Sequence, residues 1–112
     1  MSRHQCIQFL SIVLVAFALA GCEWFVSGEE RVARAERLMS EGDDRAAAIE
    51  LKNALKSHPE NIRARLLLAR LSLRAGDAKL AEKELELAAD AGAAAHDTAE
   101  LWAETQLALG RS

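Results

Sequence analysis

A repeat with a period of 34 residues constrains this chain more than any other feature. Ala35, Gly42, Ala47, Leu51 and Ala54 recur 34 residues later as Ala69, Gly76, Ala81, Leu85 and Ala88, and the first two recur again as Ala103 and Gly110. Small residues at fixed offsets mark places where two helices come close, and a glycine between them marks where the first helix stops. Chance matching among alanine-rich helices is a poor account of seven coincidences that include the turn glycines. Arrays of this kind are surfaces for binding other molecules and rarely carry chemistry themselves.

Apolar spacing is helical from Glu29 onward and predicts helices over 29–41, 44–57, 60–75, 78–91 and 97–109. Gly42 and Gly76 supply helix ends, and Asp43 or Asp44, and Asp77, supply N-cap carboxylates for the helices that follow. Pro59 is expected at a helix start between repeats, where its missing N–H does no harm. Asp97 with Glu100 reads as a variant capping box. The expected fold class is all-α: antiparallel helical hairpins stacked as a short right-handed solenoid of about two and a half repeats. The repeats fall at 28–61, 62–95 and a partial 96–112. Ala35, Ala69 and Ala103, with Ala47 and Ala81, are expected where the helices of a hairpin approach most closely, and Leu51, Leu85, Ala54 and Ala88 in the seam to the next hairpin.

The N-terminus has a different character. Arg3 and His4 precede an apolar run from Phe9 to Ala20. The run is much shorter than the roughly 20 residues that span a bilayer as a helix, and it reads as the h-region of a signal sequence. A retained anchor is the alternative. The run ends in Leu19-Ala20-Gly21-Cys22, which resembles the lipobox of bacterial lipoproteins. That resemblance implies a diacylglyceryl thioether on Cys22, cleavage before it at the small residues Ala20 and Gly21, and acylation of the new amine. Two or three chains contribute about 0.8 kcal/mol per buried methylene, enough for a permanent anchor. The expected organisation is a signal peptide at 1–21, a lipidated tether at 22–28 and the helical repeats at 29–112. Trp24, Phe25 and Val26 in the tether either sit at the headgroup level or pack on the first helix. Glu23 follows the cysteine, which by resemblance to sorted lipoproteins favours the periplasmic face of the outer membrane.

Charge and cysteine usage agree. Cys6 would leave with the signal and Cys22 would carry lipid, so no free thiol or disulfide remains, as suits an oxidising periplasm. From Cys22 onward there are 13 basic and 17 acidic side chains, a charge of −4. Nucleic acid, which selects a basic stripe, is excluded as an expected partner.

Ala47-Ala48-Ile49-Glu50-Leu51-Lys52-Asn53-Ala54-Leu55-Lys56, followed by His58-Pro59-Glu60-Asn61, resembles tetratricopeptide repeats (TPR). So does the stretch from Ala64 to Ala69 through Gly76-Asp77 to Leu85. Lipobox, short tether and these repeats together resemble the N-terminus of the PrsT family, the TPR lipoproteins of PEP-CTERM systems. The resemblance implies a lipid-anchored scaffold in an export system associated with exopolysaccharide, without cofactor, whose partners are proteins or peptides. A TPR lipoprotein for pilus, secretin or outer-membrane assembly is the alternative. Members of that family are long solenoids. Here Gly110-Arg111-Ser112 lies in the turn before the third repeat's second helix, and Trp102 occupies a position that should face that helix. The expectation is an N-terminal fragment of a longer TPR assembly factor rather than a solvating last helix.

The first helix of each repeat lines the concave face of such arrays. Glu29, Arg63 and Asp97 form one row of equivalent positions there, and Glu36, Arg70 and Glu104 another. Arg63, Arg70 and Arg74 share one helical face and are candidates to grip an acidic peptide terminus or a polysaccharide carboxylate. The competing expectation, which the complete charge alternation favours, is that carboxylates on neighbouring helices neutralise them. Val32, Met39, Leu66, Leu73 and Leu107 interleave with the charges and either hold an apolar ligand helix or are ordinary partly exposed residues. Glu82, Glu84 and Glu86 read as a solvated run.

No enzyme is expected. His58 and His96 lie beside turns and far apart, no His/Cys/carboxylate spacing suits a metal, and neither a Ser-His-Asp set nor a glycine-rich phosphate loop is present.

Overall fold

A computed structural model describes residues 27–111, together with Arg3, Gln5, Ile7 and Gln8. Leu19, Ala20, Gly21 and Cys22, with the apolar run before them and Trp24–Val26 after, lie outside the described residues.

Five helices follow one another: α1 (Gly28–Ser40), α2 (Asp44–Ser57), α3 (Ile62–Arg74), α4 (Ala78–Asp90) and α5 (Ala95–Ala108). No strand occurs among the described residues. The architecture is the all-α array of hairpins expected from the repeat. Helices α1 and α2 form one hairpin and α3 and α4 the next. In addition α3 packs on α2, and α5 packs on both α4 and α3.

Capping chemistry sets most of the ends. Gly42 and Gly76 adopt φ of 82° and 81°, a left-handed conformation that glycine reaches without a steric penalty. At each, two backbone bonds close the preceding helix: Asp43 N–H to Leu38 O and Gly42 N–H to Met39 O, then Asp77 N–H to Ser72 O and Gly76 N–H to Leu73 O. Asp43 accepts from Ala46 N–H at 3.1 Å and Asp77 from Leu80 N–H at 3.0 Å.

Two helix starts differ from expectation. Pro59 does not open α3; it sits in the preceding turn, and Asn61 is the N-cap, its Oδ1 accepting from Ala64 N–H at 3.0 Å. A side-chain oxygen that satisfies an orphan donor outweighs the preset φ of proline as a start signal. Asp97 does not cap α5. That helix begins at Ala95 with Ala94 as a cap that makes no side-chain bond, and Asp97 lies in its first turn. The extended backbone at Ala94, φ −69° and ψ 141°, lets the helix start before any polar side chain is reached.

The core divides into two clusters that share α3. Val32 and Ala35 of α1, Ala47, Leu51, Ala54 and Leu55 of α2, and Ala64, Leu67, Leu68 and Leu71 of α3 form the first. Ala69 of α3, Ala81 and Leu85 of α4 and Leu101 of α5 form the second, with Leu66, Leu73 and Trp102 half-buried against it. Leu51 and Leu85, one period apart, are both wholly buried, and each contributes about 1.5–3 kcal/mol of burial free energy. Ala35 and Ala69 are also wholly buried, whereas Ala103 at the equivalent place on α5 is exposed, because no described helix covers that face.

Candidate interaction surface

The first helices of the repeats, α1, α3 and α5, lie side by side. Packing joins α3 to α5. Between α1 and α3, which both contribute to the first core cluster, there is also an ionic link: Arg63 presents Nε at 2.8 Å and Nη2 at 2.5 Å to Glu36 Oε1, with Nη2 also 2.5 Å from Oε2. A guanidinium fork against one carboxylate is the geometry that makes such pairs directional.

The three candidate arginines separate. Arg63 is tied to Glu36, and Arg74 donates from Nη1 to Asp44 Oδ1 at 3.3 Å, reaching the first residue of α2. Arg70 is exposed and enters no ion pair among the described residues. The expected rows are therefore not level rungs. Arg63 pairs diagonally with Glu36 and not with Glu29, because a sequence period says which positions repeat and not how consecutive helices are offset along their axes. Two of the three arginines are neutralised by the preceding repeat, and Arg70 is the one of the three that enters no ion pair among the described residues.

The apolar candidates also separate. Val32 is 2% exposed and belongs to the first core cluster, which corrects its place in the candidate surface. Met39 is half-buried against that cluster. Leu66 and Leu73 are half-buried beside Trp102 and form an apolar strip between α3 and α5. Leu107 is 73% exposed on α5. Leu66 and Leu73 flank Arg70 one helical turn to either side on α3, so with Trp102 they form an apolar bed beside a guanidinium that has no ion-pair partner among the described residues.

A second charge system is absent from the sequence expectations. Arg65 Nη1 lies 2.7 Å from Glu84 Oε2, and their side chains are 13% and 5% exposed. The same guanidinium donates from Nε and Nη2 to Pro59 O at 3.1 and 3.0 Å. One period earlier Arg31 Nη1 pairs with Glu50 Oε2 at 3.3 Å, and Arg34 approaches the same carboxylate at 3.5 Å. Glu84 is therefore not part of a solvated run; it is buried because the arginine of the facing helix compensates its charge. The signal was present in the sequence, since both members of each pair recur at the period: 31 and 65, 50 and 84.

Among the described residues no group of three or more His, Cys, Asp or Glu is placed to hold a metal ion. His58 Nδ1 stands 3.6 Å from Glu60, and His96 Nε2 3.0 Å from Asp97, both at the surface and each beside its own turn. No described helix is long and apolar enough to cross a membrane.

No curated protein and no solved structure matches the chain. A tetratricopeptide repeat family model matches residues 38–103, more than half of the chain and a span that runs from the end of α1 into α5. Proteins of this kind are generally non-enzymatic scaffolds with protein partners. With the hairpin pairs, the turn glycines and the recurring buried alanines in place, the chain belongs to the tetratricopeptide repeat family.

Proposed function

We propose that this protein is a lipid-anchored TPR scaffold of the bacterial envelope. It is held by acylated Cys22 on the periplasmic face of the outer membrane and recruits protein partners of an export system associated with exopolysaccharide, of the PEP-CTERM type. The observation that carries this reading is the adjacency of two features. Cys22 ends a Leu-Ala-Gly-Cys run that resembles a lipobox, and the first helix of the TPR array opens at Gly28. So short a tether holds the array at the membrane surface and leaves the α1, α3 and α5 face to partners. On that face Arg70 supplies a carboxylate-binding cation and Leu66, Leu73 and Trp102 the apolar contact.

The test is expression with the native leader in a Gram-negative host, followed by intact mass of the detergent-extracted protein and density-gradient separation of the membranes. The expected result is a protein that starts at Cys22 with about three acyl chains, sediments with the outer membrane and loses its lipid on Cys22→Ser. An unlipidated protein with another N-terminus overturns the anchor. Photo-crosslinking from position 70 in the native host then tests the partner: a crosslinked envelope protein supports the scaffold, and none across growth conditions overturns this face as the binding surface.

A further inference from the structure

The second helices carry a surface of their own on the side away from Arg70. An open groove of about 400 Å³ runs between α2 and the start of α4, with α3 as its floor. Leu68 and Leu71 of α3, core residues whose outer edges are 3% and 4% exposed, form the floor, and half-buried Leu80 of α4 forms one wall. Ser72, which also lines the groove, is buried and donates its hydroxyl proton to Leu68 O at 2.7 Å.

The rim is charged, and its charges are unevenly engaged. Both rim carboxylates have partners: Asp44 takes Arg74, and Asp77 caps α4 through Leu80 N–H. Arg45 and Lys52, which line the α2 side, are exposed and enter no ion pair among the described residues. The same is true of Lys56 farther along α2 and of Lys79 and Lys83 on α4. Ile49, 57% exposed, lies among the cations of α2. In a chain of net charge −3, two cations that enter no ion pair among the described residues, Arg45 and Lys52, thus stand on the rim of one apolar depression.

We infer that this groove docks an acidic peptide segment of a protein partner, seating one large apolar side chain on Leu68, Leu71 and Leu80 and its flanking carboxylates against Arg45 and Lys52. The site rests on the scaffold reading and adds a second face to it. A recessed apolar floor selects an inserted side chain over a flat bilayer surface, and the two rim cations without an ion pair, Arg45 and Lys52, select an acidic partner and speed its encounter.

The test uses the full chain in neutral detergent and a fluorescein-labelled peptide, Asp-Glu-Phe-Leu-Glu-Asp, read by fluorescence anisotropy. The expected result is saturable binding that weakens by about tenfold or more in the Arg45→Glu/Lys52→Glu variant and is unchanged in Arg37→Glu. Ala48→Phe, which fills the groove without changing charge, is expected to weaken it too, with circular dichroism confirming the fold of every variant. Equal binding of a peptide with lysines in place of its acidic residues overturns the proposal. So does loss of binding in Arg70→Glu with Arg45→Glu/Lys52→Glu unaffected, which puts the peptide on the first-helix face. Binding to phosphatidylglycerol vesicles that depends on Arg45 and Lys52, with no peptide binding, makes the membrane the occupant and overturns it as well. Each of these leaves the scaffold reading to the crosslink at position 70.

Discussion

Arg65 and Glu84 form an ion pair at 2.7 Å in which both side chains are nearly withdrawn from water, and the pair repeats one period away from Arg31 and Glu50. Each joins the first helix of a hairpin to its second. The two copies differ in depth: 13% and 5% exposed for Arg65 and Glu84, 28% and 18% for Arg31 and Glu50. A buried charge that loses its partner pays its full desolvation cost, while an exposed one is rehydrated. Glu84→Ala is therefore expected to destabilise by about 3 kcal/mol and Glu50→Ala by about 1 kcal/mol or less. Urea unfolding followed by circular dichroism measures both, and equal losses would mean that depth does not govern the pair.

The alanines at equivalent positions give a contrast in packing. Ala69 is wholly buried between α3 and its neighbours, whereas Ala103 on α5 is exposed. Ala69→Leu is expected to cost about 1–3 kcal/mol through overpacking, and Ala103→Leu to stay within about 0.5 kcal/mol of the parent, as surface changes do. Thermal melts of the two variants decide it; a large loss for Ala103→Leu would show that this face of α5 is covered.

Gly76 closes α3 at φ 81°, with open space where a Cβ would stand. The penalty of a side chain there is conformational and not steric against neighbours. Gly76→Ala is expected to cost about 1–2 kcal/mol, and Gly76→Asn less, since asparagine tolerates the left-handed region. Chemical denaturation of the pair tests that order, and an alanine variant no less stable than the asparagine one would reject it.

Helix α5 starts at Ala94 with no side-chain cap, while Ser27, Asp43, Asn61 and Asp77 cap the other four helices. The backbone at Ala94 already has the extended conformation a capping residue needs. Ala94→Asp is expected to stabilise by about 1 kcal/mol. Amide hydrogen exchange in the first turn of α5 should slow in step, and unchanged exchange would show that the new carboxylate does not cap.

The sequence alone determined the elements and their order. Helix ends at Gly42 and Gly76, caps at Asp77 and at the Asp43-Asp44 pair and the buried positions Ala35, Leu51, Ala69 and Leu85 follow from local backbone preference and a repeated pattern of side-chain size. These properties belong to single residues and their near neighbours, so a linear reading recovers them. Competition between two adequate local signals was less legible: Asn61 prevailed over Pro59, and extended backbone at Ala94 over the carboxylate of Asp97.

Only the tertiary structure decided the rest. Glu82, Glu84 and Glu86 are equivalent on the page, yet Glu82 binds Arg111, Glu84 is buried on Arg65 and Glu86 faces solvent. Val32 left the candidate surface for the core, Arg63 met Glu36 across a diagonal, and Arg70 alone of the three candidate arginines has no ion-pair partner among the described residues. Burial and pairing depend on which helices lie alongside and on their offset along the axis. That offset is set by the sum of all packing contacts between hairpins, which no single residue encodes.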